Sequence, residues 1–142
     1  MDTLEHQAQS LPAPTADRPL LGLTVLVIED SRFACEAMRL LCLRSGARIR
    51  RADCLRSARR HLRVYRPSVV VVDLGLPDGS SMDLVQHVTQ LRPEIAVIIA
   101  SGADPREYAE GEAEPARYVS LMKPYDEHSL KRALDQCKEP AG

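Results

Sequence analysis

Three short runs that are apolar on both faces constrain this chain more than any other feature. Residues 23–28 read LTVLVI, residues 69–72 are four consecutive valines, and residues 95–100 (IAVIIA) are apolar throughout. A strand with no polar face must be covered on both sides, which is the condition of a parallel sheet sandwiched between helices. Two weaker strands are predicted around residues 47–52 and 117–121.

The intervening segments have helical period. Ala34, Met38, Leu41, Cys42 and Ser45 share a face that Gly46 stops. Leu55, Ala58, Leu62 and Tyr65 define a second helix, ended ahead of Pro67. Ser80 followed by Asp83 opens a third in the manner of a capping box, with Leu84, Val85, Val88 and Leu91 as its apolar face. Leu130, Ala133, Leu134 and Cys137 give the last its i, i+3, i+4, i+7 stripe. Residues 105–114 are weaker: Gly111 lies among Glu107, Glu110, Glu112 and Glu114, so a short or mobile element is expected. Five β–α units in succession predict an α/β domain with an open, doubly wound parallel sheet. Residues 1–20 are expected to be a flexible leader, 21–138 the folded domain and 139–142 a frayed end.

Composition narrows the function classes. The 142 residues carry a formal charge of -1, so no global field draws the chain to nucleic acid or anionic lipid. With no Trp, one Phe and four Tyr, stacking platforms for single strands are scarce. The four cysteines form no CxxC pair and are expected to be small thiols in a reducing compartment. No signal peptide or membrane-spanning run is visible, and a cytoplasmic protein with no membrane partner is expected.

Chemistry is expected at the carboxyl ends of the strands, where open α/β sheets bind ligands. The first strand ends in Glu29-Asp30, the valine strand in Asp73, and the fourth in Ser101; Lys123-Pro124 follows the fifth. Any one of these is an ordinary cap or turn residue. Together, three carboxylates in one cleft repel each other unless a cation joins them. Oxygen donors of this kind favour Mg²⁺, and a lysine with a hydroxyl opposite suits an incoming phosphoryl group. Asp73, between the two, is placed as a nucleophile toward phosphorus.

IED at 28–30, VVVVDLGLPDGS at 69–80, IIASGA at 98–103 and LMKP at 121–124 resemble the receiver domain of two-component response regulators, over about residues 22–138. The resemblance implies a flavodoxin-like (βα)5 fold with strand order 2-1-3-4-5. It also implies a stand-alone phosphoacceptor rather than an enzyme, able to label itself from small donors and to lose the group slowly. Asp73 would take a phosphoryl group from the phosphohistidine of a histidine kinase or a histidine phosphotransfer protein. Asp30 would bind Mg²⁺ directly, Glu29 through water, and Gly75 through its backbone carbonyl. Ser101 and Lys123 would hold phosphoryl oxygens, and Pro124 would be cis. Gly75 and Ala103, both small, imply a short-lived acyl phosphate. An alternative is a pseudo-receiver acting as a phosphorylation-independent interaction module.

Three positions depart from the family pattern. Ser120 stands where an aromatic residue usually precedes the lysine by three, with Tyr118 nearby; Ser81 replaces a common glycine, with little effect expected; and residues 105–114 make a weak helix. Separately, nine of the chain's 19 basic side chains lie between residues 44 and 66, against Asp53 alone. A solvated helix face accounts for such a run, and docking to an acidic output partner is the sharper reading; a nucleic-acid role is disfavoured because no recognition motif accompanies it.

Overall fold

The structure is a computed structural model that describes residues 15, 18, 20–102 and 117–137. In chain order its elements are β1 (Thr24–Ile28), α1 (Arg32–Arg44), β2 (Arg48–Ala52), α2 (Leu55–Val64), β3 (Val69–Asp73), α3 (Ser81–Leu91), β4 (Ala96–Ser101), β5 (Val119–Met122) and α4 (Glu127–Cys137). The strands form one parallel sheet in the order β2-β1-β3-β4-β5, so strand order reverses between β1 and β3. This is the doubly wound architecture expected from the sequence. The expected weak helix at 105–114 lies outside the described residues, as do Ala103 and residues 139–142.

The valine run is apolar on both sides because its alternate residues enter two separate cores. Val69 and Val71 join Val25, Val27, Ile98 and Ala100 beneath α1 and α4, while Val70 and Val72 join Leu26, Ile28, Val97 and Ile99 beneath α2 and α3. Each such side chain contributes about 1.5–3 kcal/mol by leaving water. Leu20 belongs to the first core at 3% exposure, and its amide donates to the Ser45 carbonyl at 2.8 Å, so the packed body begins within the expected leader.

Helix starts follow the side chains at their caps. Ser31 accepts from the Ala34 amide and Ser80 from the Asp83 amide. Gly46, at φ +99, ends α1 in the left-handed region, and its backbone packs so closely on Leu21 that a Cβ would lie 3.0 Å from the Leu21 Cα. One expected core residue departs: Leu91 is 67% exposed. It is the last residue of α3, and Arg92 (φ -137) breaks the helical backbone directly after it. Cys35 and Cys42 are buried free thiols, and burial pushes Cys42 up to about 12, which keeps it protonated and inert. No helix among the described residues is long and apolar enough to cross a membrane.

Candidate functional site

The sheet delivers its acidic residues to one edge. β1 ends at Ile28, so Glu29 and Asp30 emerge beside the end of β3, whose last residue is Asp73. Carboxylate oxygens of Glu29, Asp30 and Asp73 all lie within 4.8 Å of one another. Glu29 is buried, Asp73 partly buried and Asp30 exposed. At about 4 Å two such charges repel by about 1 kcal/mol in water and about 4 kcal/mol near a protein surface.

Lys123 offsets part of that repulsion. Its amide donates to the Ser101 carbonyl at 2.8 Å, continuing the β4–β5 pairing, and the Lys123-Pro124 peptide is cis, as expected. The ammonium donates to Asp73 Oδ1 at 2.7 Å and to Glu29 Oε1 at 3.1 Å. Burial works to lower the lysine's pKa, but the hydrogen bonds to Asp73 and Glu29 outweigh it and the net shift is upward. Burial pushes the Glu29 carboxyl up, opposed by Lys123 and the Ser31 amide and reinforced by Asp73. One ammonium against three carboxylates leaves negative charge in excess. The all-oxygen donor set fits Mg²⁺, and Glu29, Asp30 and Asp73 could hold such an ion between them. Gly75 has φ +84 and open space where a Cβ would be, so its backbone is unobstructed beside Asp73.

The five side chains expected from the sequence therefore share one edge. Ser101 ends β4 at 6% exposure, opposite Met122 in the register. Two contributors were not foreseen. Arg51, counted from the sequence with the surface arginines, instead donates to the carbonyls of Glu29 (3.3 Å) and Asp30 (3.2 Å). The signal was its place in β2: Arg51 pairs with Val27 near the strand ends, and alternation turns it to the opposite face from Arg50. Ser81, expected to matter little, is buried, and its hydroxyl donates to the Asp73 carbonyl at 2.8 Å. No sequence signal marks it beyond its departure from glycine.

The position of the missing aromatic is also settled. β4 and β5 pair through four consecutive residues without a bulge, Ile98 with Val119 to Ser101 with Met122. Ser120 thus occupies the expected place and is exposed, while Tyr118 precedes the strand and packs on the α2–α3 core. The departure is a substitution and not a shifted register.

The family model described as response regulator receiver domain matches residues 25–135. Among curated proteins, the chain is 26% identical over 119 residues to the sensory transduction protein LytT of Bacillus cereus, covering 82% of this chain and 48% of that protein. It is 27% identical over 117 residues to the transcriptional regulatory protein CitB of Klebsiella pneumoniae, covering 81% and 50%. The chain thus spans about half the length of these relatives. Among solved structures, the chemotaxis response regulator CheY4 of Vibrio cholerae superposes with a TM-score of 0.69 at 20% identity, covering 81% of this chain and 98% of that one. A CheY-like receiver domain from Methylobacillus flagellatus gives 0.69 at 25% identity, covering 82% and 98%.

Proposed function

Because this chain belongs to the response regulator receiver domain family, we propose that Asp73 is the phosphoacceptor of a two-component or phosphorelay system. The observation that supports this best is the Lys123 ammonium held between Asp73 and Glu29, at 2.7 and 3.1 Å, in the excess-negative cluster. In the reaction an Asp73 carboxylate oxygen forms an O–P bond. The N–P bond of a donor phosphohistidine breaks, and its electron pair returns to the imidazole. Glu29 (through water), Asp30, Asp73 and the Gly75 carbonyl would hold Mg²⁺, which would supply charge neutralisation for the transferring group. Lys123 follows the charge from the carboxylate to a phosphoryl oxygen, and Ser101 donates to another. The donor is a histidine kinase or histidine phosphotransfer protein. Labelling from small phosphodonors and slow self-hydrolysis are the only catalytic events proposed, and the cytoplasm is the proposed compartment.

The test is intact mass after incubation with acetyl phosphate and Mg²⁺. One phosphoryl adduct is expected, absent in Asp73→Asn and absent when the metal is chelated. An unmodified wild type that is folded and also fails with a competent donor kinase would remove the reading. A second reading, a phosphorylation-independent interaction module, draws on the exposed Ser120, which removes the usual aromatic reporter from β5.

A further inference from the structure

The arginines of α2 and β2 divide once their partners are known. Arg44 pairs with Glu127 at 3.4 Å, and Arg51 serves the carbonyls of Glu29 and Asp30 just past β1. Arg48, Arg50, Arg56, Arg59, Arg60, Arg63 and Arg66 meet no carboxylate among the described residues. Arg56, Arg59, Arg60 and Arg63 stand at i, i+3, i+4 and i+7, so they form one cationic stripe along α2. The helix dipole accounts for Arg63, in the last turn, but not for the whole stripe. Cations favour a helix C-terminus, whereas Arg56 lies in a first turn that has no acidic residue.

This stripe runs to an apolar pair. Arg92, the C-cap of α3, donates to the carbonyl of Tyr65, the C-cap of α2, at 3.1 Å, so the two helix ends meet. The residues just before those caps, Val64 and Leu91, are 85% and 67% exposed. Arg50 stacks over the Tyr65 ring at 4.1 Å, bringing β2 to the same place. Exposed Glu94 is the nearest acidic residue in sequence after Arg92, and it makes no ion pair among the described residues.

We propose that the C-terminal ends of α2 and α3, with Val64 and Leu91 flanked by Arg60, Arg63 and Arg66, dock an acidic amphipathic segment of a partner protein. Guanidinium forks pair bidentately with carboxylates, and an apolar centre with an arginine border is the composition of a protein interface. Duplex DNA or an anionic bilayer fits less well. A duplex's phosphate surface offers nothing to bury Val64 and Leu91, and attraction to a bilayer draws on a net positive charge that this chain, at -1, lacks. Helices here run antiparallel to their strands, so this surface lies at the opposite edge from Asp73. The proposal draws on none of the phosphoacceptor residues and stands apart from the phosphoacceptor reading.

The test is fluorescence anisotropy of the full chain with a synthetic helical peptide carrying Glu at i and i+4 around a Leu stripe. Arg60→Glu with Arg63→Glu is expected to weaken binding by about tenfold or more, as is Val64→Asp, while Asp73→Asn binds as wild type does. The milder Arg60→Gln with Arg63→Gln gives the same readout if a reversal fails to fold. Equal affinity in the variants would overturn the proposal. So would equal affinity for the peptide with Gln in place of Glu, or displacement of the peptide by duplex DNA or phosphatidylserine vesicles.

Discussion

The two edges of the sheet handle charge in opposite ways. At the carboxyl edge, the Glu29 and Asp73 carboxylates, one ammonium and one guanidinium are at least partly buried and held by contacts of 2.7–3.3 Å, with the Asp30 carboxylate exposed beside them. Around α2 and the outer strand, seven arginines are left without carboxylate partners among the described residues. The first arrangement fixes geometry, because partly buried charges are screened little and each depends on its neighbour. The second fixes only a field, because solvated guanidinium groups move freely and water screens them. Chemistry at an atom needs the first kind; recognition of a complementary surface needs only the second.

Lys123→Gln should break the contrast most severely. Removing the ammonium leaves Asp73 and buried Glu29 unopposed, and labelling from acetyl phosphate should slow on the order of 100-fold. Arg60→Glu with Arg63→Glu should leave that rate within about twofold, since surface changes away from a site rarely matter. Equal losses from both variants, followed by mass spectrometry, would erase the distinction between the edges.

Metal addition should act at one edge only. At about 100 times its Kd, Mg²⁺ should stabilise the protein by about 2.7 kcal/mol. Asp30→Asn should forfeit most of that gain, yet be more stable than wild type in chelator, because it removes one of three mutually repelling charges. Urea unfolding with and without Mg²⁺ measures both, and a metal response that survives Asp30→Asn would move the ligand set elsewhere.

Ser81→Ala sharpens the comparison at a neutral group. Loss of its hydrogen bond to the Asp73 carbonyl should cost about 1 kcal/mol and slow labelling several-fold, with Ser81→Thr recovering part of the rate. A normal labelling rate in a destabilised Ser81→Ala would restrict Ser81 to packing.

The smallest effect belongs to Asp78, whose carboxylate accepts from the Leu55 and Arg56 amides at 2.9 and 3.0 Å and so caps α2. The Arg56 and Leu55 amides hold its pKa below the ordinary 3.8. A group lowered on folding stabilises above its unfolded pKa, and that stability is lost as pH falls through the native value. Asp78→Asn should therefore lower the melting temperature slightly at neutral pH, with the gap closing below about pH 3.8. A gap that persists in strong acid would assign the effect to shape instead of charge.

Much of this was written in the chain. Four valines in a row can be satisfied only by two helical layers, and Ser80, Gly46 and the 3.6-residue stripes place the helix ends. The carboxyl-edge rule then gathers Glu29, Asp30, Asp73, Ser101 and Lys123 without any coordinates. The sequence could not divide the arginines: Arg50 and Arg51 are neighbours of one type that alternation sends to opposite faces, and only the packing of β2 shows that one meets Tyr65 and the other the site carbonyls. Nor could it show that Ser81 reaches the Asp73 backbone, or that the ends of α2 and α3 meet and leave Val64 and Leu91 exposed. Periodicity is local and is read from spacing along the chain. Which donor meets which acceptor across eight or more residues depends on how strands align and helices end, and that is decided only when the layers pack.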